Sequence, residues 1–106
     1  VAKPVITLLT INMARNLTLD DFKKAVLVAT LEYTMISVEE TTKALEGKIH
    51  RTFSDLCMDS LDMVEVVMVV EDELGIYLDD HKLEHFDQTM LAEEAASFLF
   101  KCNLGN

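Results

Sequence analysis

No glycine or proline interrupts this chain between Pro4 and Gly47, or again between Gly47 and Gly75. A turn-rich β fold needs such residues at its corners, whereas helices joined by short links do not. The sequence therefore predicts an all-α architecture. With 106 residues, half of them hydrophobic, the chain can fill one packed core and not two. The same hydrophobic content argues against disorder along its length. Charge narrows the class of partner. Nine Lys and Arg stand against nineteen Asp and Glu, a formal net charge of −10. Such a surface repels nucleic-acid phosphate and anionic lipid, so neither is an expected partner, and it suits basic patches on other proteins. Solubility alone would also account for it.

Cys57 and Cys102 have neither metal-ligand spacing nor a disulfide framework around them, which points to a reducing compartment. No run reaches the roughly 20 apolar residues that span a bilayer, so membrane insertion is not expected. The segment from Val1 to Ala14 is apolar but lacks the basic, apolar and cleavage regions of a signal peptide. An opening Val in place of Met suits a processed or partial chain.

The first helix is expected from Leu19 to Met35, capped by Thr18 with Asp21 three residues on. Leu19, Phe22, Val26, Ala29, Thr30 and Tyr33 recur at helical spacing as one face. Its middle, Ala25 to Leu31, is apolar nearly all round, which predicts deep burial or cover from the N-terminal segment. Ile36 to Thr52 reads as a connection in which Ser37-Val-Glu-Glu40 resembles a capping box and supports a helical turn before Gly47. Phe53 and Leu56 could plug a core. A second helix is expected from Ser60 to Leu74, stopped by Gly75, then an extended link at Ile76 to Leu78. A brief helical stretch comes next, from His81 to His85. The last helix is expected from Met90 to Cys102, with Leu91, Ala95, Phe98, Leu99 and Cys102 facing inward. The expectation is a small four-helix bundle of three long helices and one short.

The second helix carries the most information. At helical spacing Met63, Val66, Val67, Val70 and Leu74 share the arc that would face the core. The opposite arc holds Leu61, Val64, Glu65, Met68 and Asp72, with Glu71 close by. Apolar side chains among carboxylates are either ordinary surface hydrophobes or a docking strip whose acids steer a basic partner. At the start of this helix, Asp59-Ser60-Leu61 sets a hydroxyl where unpaired N–H groups and the helix dipole favour a phosphate ester. Alone, the tripeptide would read as a simple cap.

It is not alone. The block Phe53-Ser-Asp-Leu-Cys-Met-Asp-Ser-Leu-Asp-Met-Val-Glu-Val-Val-Met68, continued by Glu71-Asp-Glu-Leu-Gly-Ile76, resembles the signature of the acyl carrier proteins of discrete fatty acid synthesis. The likeness covers nearly half the chain well and runs more weakly to Leu99; the first helix fits in character only. The resemblance implies a bundle of acyl carrier type. In it Ser60, flanked by Asp59 and Leu61, would receive 4′-phosphopantetheine from coenzyme A through a phosphopantetheinyl transferase. The thiol of the arm would hold acyl groups as thioesters, and the chain would be a carrier and not an enzyme. By the same resemblance Leu61, Val64, Glu65, Met68, Glu71 and Asp72 would dock fatty acid synthase-type enzymes through their basic patches. Val66, Val70 and the inner face of the last helix would line an acyl shelter. The implied organisation is an N-terminal extension at 1–16, a carrier domain at 17–102 and a tail at 103–106. Such a protein would be a monomer in the cytoplasm, or in the matrix of a mitochondrion or plastid if its N-terminus is processed. Three departures mark a divergent member. Cys57 stands where the family commonly has glycine, leaving a thiol near the arm; Asp79 stands where a proline commonly precedes the third helix; and the connection at 36–52 is long.

Other constellations carry less. His81 and His85, with Asp80 and Glu84, have the spacing for zinc on a helix but no third ligand, so no metal is expected. Asp79-Asp80 lacks the alternating ligands of a calcium loop. Ser60 has no His at a recognisable spacing, a distant one such as His50 aside, so a nucleophilic hydrolase is not expected. Met58, Met63, Met68 and Met90 suit core or docking roles. The alternative class is an adaptor that keeps the carrier fold and docks through the acidic strip without an arm. Polyketide, lipid-modification and aminoacyl carriers are variants of the first class.

Overall fold

The computed structural model describes residues 16–105. The expected N-terminal extension, apart from Asn16, lies outside the described residues, as do Asn106 and any cover that the N-terminal segment gives the first helix.

Helix α1 (Leu19–Tyr33) opens on the predicted capping box. The Thr18 hydroxyl accepts from the Asp21 N–H at 3.3 Å, and the Asp21 carboxylate accepts from the Thr18 N–H at 2.9 Å. Two donors that a helix start leaves orphaned are thereby satisfied. Those bonds from the Thr18 N–H and hydroxyl hold the Asp21 carboxyl below its ordinary range. Phe22, Ala25, Val26, Ala29 and Thr30 are buried, and Leu19 and Tyr33 are half-buried at the ends of the same stripe. The helix stops at Tyr33 rather than Met35, because Thr34 turns extended and its hydroxyl donates to the Leu56 carbonyl at 2.7 Å. Burial does not extend all round the middle: Val28 is 46% exposed.

Helix α2 (Val38–Leu45) lies inside the stretch expected to be a connection with one helical turn. It is a helix of eight residues. Ser37 caps it, accepting from the Glu40 N–H at 3.2 Å; acids fill its first turn and Lys43 its last, as the dipole favours. Thr41 and Ala44 are its buried side chains, and Gly47, at φ +78°, turns the chain out of it.

Helix α3 (Ser60–Leu74) keeps its predicted bounds and ends at Gly75 in the left-handed conformation. Met63, Val66, Val67 and Val70 are buried. The helix expected at His81 to His85 is instead a single 3-10 turn, Asp80–Leu83, opened by the Asp79 carboxylate accepting from the His81 N–H at 3.0 Å. The last helix, α4 (Ala95–Asn103), begins later than Met90, after a 3-10 turn at Ala92–Glu94. Met90 and Leu91 are held extended by the loop before α3. The Phe53 N–H donates to the Met90 carbonyl at 3.2 Å, the Ala92 N–H donates to the Arg51 carbonyl at 2.8 Å, and Thr52 and Leu91 form an isolated antiparallel bridge. Leu91 is thus half-buried outside α4, whereas Ala95 and Leu99 lie in the core.

The described residues form an all-helical fold of two long and two short helices, not three long and one short. α1 packs against α2, α3 and α4. Phe22, Phe53, Leu56, Met63, Leu78 and Leu99 are fully enclosed, each stabilising by about 1.5–3 kcal/mol relative to exposure. Phe53, Phe86 and Phe98 run in series with ring centroids 6.2 and 5.9 Å apart, so Phe53 plugs the core from the loop that leads to Ser60.

Candidate functional site

The loop at 52–59 is anchored from several directions. Thr52 and Asp55 cap one another: the Asp55 N–H donates to the Thr52 hydroxyl at 3.1 Å, and the Thr52 N–H to the Asp55 carboxylate at 2.9 Å. These bonds hold the Asp55 carboxyl below its ordinary range, the Thr52 N–H contributing most. Phe53, Leu56 and Met58 point into the core. The Ser54 N–H donates to the Gln88 carbonyl at 2.8 Å and the Met58 N–H to the Phe53 carbonyl at 3.0 Å. With the Thr34 bond to Leu56, the loop is fastened to α1 and to the segment before α4.

Among the described residues other than glycine, Cys57 alone has a positive φ, +62°. A left-handed backbone costs an L-residue roughly 1–2 kcal/mol and glycine much less, which is the physical reason a glycine suits this position. The Cys57 side chain is exposed. Cys102 is half-buried, its thiol lies 3.6 Å from the Lys82 carbonyl, and burial pushes that thiol up from its ordinary range.

Past Cys57, Asp59 is the N-cap of α3. Its carboxylate accepts from the Asp62 N–H at 2.9 Å, and the Asp62 carboxylate accepts from the Asp59 N–H at 3.1 Å. Within the tripeptide the aspartate, not the serine, is the cap. Ser60 is left as the first residue of the helix, exposed, its hydroxyl in no hydrogen bond with the described residues. The N–H groups of Ser60 and Leu61 likewise have no acceptor among them. A hydroxyl free to be esterified, two open donors and the positive end of a 15-residue helix suit a phosphate ester. The Asp59 and Asp62 carboxylates oppose that charge, and each is committed to the other's N–H.

The outer arc of α3 has two kinds of residue. Leu61, Val64 and Met68 are 66%, 56% and 53% exposed. Asp72 is exposed as well, while Glu65 and Glu71 are half-buried. Glu65 accepts from the Tyr33 hydroxyl at 3.3 Å. Glu71 accepts from the Leu78 N–H at 2.8 Å, so it also fastens the chain beyond Gly75. Neither bond has a signal in the sequence, since both depend on how the chain returns past α3. Val66 and Val70 belong to the same buried core as Ala95 and Leu99. His50 pairs with Glu93 at 2.8 Å; His81 lies within the 3-10 turn and His85 just after it, both exposed. No three His, Cys, Asp or Glu converge as a metal centre among the described residues. No helix there is long and apolar enough to cross a membrane.

No solved structure matches the chain closely enough to count as similar. The family described as phosphopantetheine attachment site matches residues 34–92, more than half of the chain, from the end of α1 to the start of the turn before α4. That span contains the fastened loop, the open hydroxyl and the whole of α3. The residues present fit the group the family carries, and this chain belongs to the phosphopantetheine attachment site family, whose domain is where 4′-phosphopantetheine is covalently attached.

Proposed function

We propose that Ser60 is the attachment residue and that the chain carries acyl intermediates of fatty acid biosynthesis between enzymes, itself catalysing nothing. The observation that carries this reading is the exposed, unengaged Ser60 hydroxyl one residue past the Asp59 cap, inside the matched span. When bound, the arm supplies a terminal thiol that holds an acyl group as a thioester. The chain's own residues do the rest. The Asp59–Asp62 pair fixes the helix start, so the serine is presented at a set position. The Ser60 and Leu61 N–H groups and the helix dipole favour the phosphate charge.

Partners dock on the outer arc of α3. Leu61, Val64 and Met68 supply contact area, and Glu65, Asp72 and the partly committed Glu71 draw a basic patch. The net charge of −10 extends that attraction beyond the contact, which raises association rates and makes them salt-sensitive. The partners in this reading are a phosphopantetheinyl transferase and fatty acid synthase-type enzymes. The protein works as a monomer in the cytoplasm or an organelle matrix, without nucleic acid or membrane insertion.

Intact mass after incubation with coenzyme A and a broad-specificity phosphopantetheinyl transferase tests the assignment. The wild type should gain one arm and Ser60→Ala none, with both melting alike because Asp59 remains the cap. A wild type left unmodified while a control carrier is converted would overturn the carrier reading in favour of an adaptor. The intact mass of protein from its native source would name the acyl group and hence the pathway.

A further inference from the structure

Tyr33 is the last residue of α1, and its ring packs partly against the core. Its hydroxyl crosses to α3 and donates to Glu65 Oε2 at 3.3 Å. Thr34, the next residue, is fixed by its bond to the Leu56 carbonyl, so the end of α1 is itself held against the loop before Ser60. The phenol is thus a donor on a fixed mount, aimed at one of the acids on the docking arc. Glu65 sits among the exposed side chains of Leu61, Val64 and Met68. It is tied by one carboxylate oxygen only, leaving Oε1 free to accept from a cation. Desolvation, with Glu65 and Glu32 beside it, pushes the phenol above its ordinary range, so it keeps its proton as a donor.

We propose that Tyr33 is a positioning residue for partner docking, holding the Glu65 carboxylate in the orientation in which a guanidinium or ammonium group on a partner's basic patch meets it. The inference rests on the docking role proposed above for the arc of α3. A free glutamate must be ordered when it binds, and ordering one flexible side chain in advance is worth about three- to tenfold in affinity. The gain falls on dissociation. Long-range attraction depends on the charge, which Tyr33 leaves in place, whereas lifetime depends on the fit of the contact.

Two measurements on the full chain test this. The first is an ultraviolet titration of the phenols in wild type, Glu65→Gln and Tyr77→Phe, the last identifying the Tyr33 transition. Glu65→Gln should move the Tyr33 midpoint down towards the ordinary tyrosine value; an unmoved midpoint means the contact is not made and overturns the proposal. The second is binding kinetics to a phosphopantetheinyl transferase at two salt concentrations, for wild type, Tyr33→Phe, Glu65→Gln and the double variant. Tyr33→Phe should raise the dissociation rate about three- to tenfold, with the association rate, its salt dependence and the melting curve unchanged. In the Glu65→Gln background the same change should add nothing. An equal effect in both backgrounds, or no effect while Glu65→Gln weakens binding, overturns the role of Tyr33 alone. Glu65→Gln binding like wild type would instead overturn the docking role of Glu65, and this inference with it.

Discussion

Helices α1 and α3 have the same length, 15 residues, and the same kind of start, a reciprocal box between the cap and the third residue of the helix. Each buries one apolar stripe in the shared core. They differ in the residue next to the cap and in the side chains turned outward. After Thr18 comes Leu19, half-buried against the core; after Asp59 comes Ser60, exposed and unbonded. The outer surface of α1 leaves Val28 exposed between Lys24 and Glu32, one turn to either side, whereas that of α3 leaves Leu61, Val64 and Met68 among acids. Two helices can thus share one structural plan while a single first-turn residue and one outer stripe separate the scaffold from the surface proposed to work.

The plan is tested first by its inner faces, which should behave alike. Phe22→Ala in α1 should cost about 3–5 kcal/mol and Val70→Ala in α3 about 1–3 kcal/mol, read from denaturant unfolding. A mild loss at Phe22 would mean that α1 is not fastened to the core as α3 is. The outer faces should diverge. Met68→Ala should weaken transferase binding by about 1–2 kcal/mol, and Val28→Ala should leave it unchanged, with neither moving stability by more than about 0.5 kcal/mol. Equal loss of binding from both would show that the partner covers α1 as well.

The two starts provide a finer comparison. Thr18→Ala and Asp59→Ala should each destabilise by about 1 kcal/mol, and a clear inequality would show that the boxes are not equivalent. The smallest effect is in acid. Asp21 has its carboxyl lowered by Thr18, so its contribution is present above the unfolded value of about 3.9 and is lost as pH falls through the lower folded value. Melting curves between neutral pH and pH ~2 should therefore fall less steeply for Asp21→Asn than for wild type. Parallel curves would remove Asp21 from the acid response.

The sequence was most legible where information is local. The bounds of α3 came from the stripe Met63, Val66, Val67 and Val70 and from Gly75, and the Thr18 box from a Thr and an Asp three residues apart. The sequence signals α2 weakly, because that helix buries only Thr41 and Ala44, too thin a stripe to declare a helix. Met90 and Leu91 fit the helical period of α4, yet their backbone is paired with residues 51–53, nearly forty positions away. At the candidate site the exposed arc of α3 was readable by period, and Ser60 by its motif. The Tyr33–Glu65 and Glu71–Leu78 bonds were not, since each joins elements whose approach no local pattern encodes. Cys57 stood out as a departure, but only the backbone shows its cost: a left-handed residue that carries a side chain.

The loop before Ser60 is bonded to α1, to the segment at 88–90 and to the core through Phe53, Leu56 and Met58. In kinetic language, a tether fixed at that point has an origin that does not wander. With the arm on Ser60, as proposed, the volume it sweeps would be set by the arm's own length and stiffness, and with it the effective concentration of cargo at a docked partner's active site. Loosening the loop would enlarge that volume and dilute the cargo without changing one contact between the two proteins.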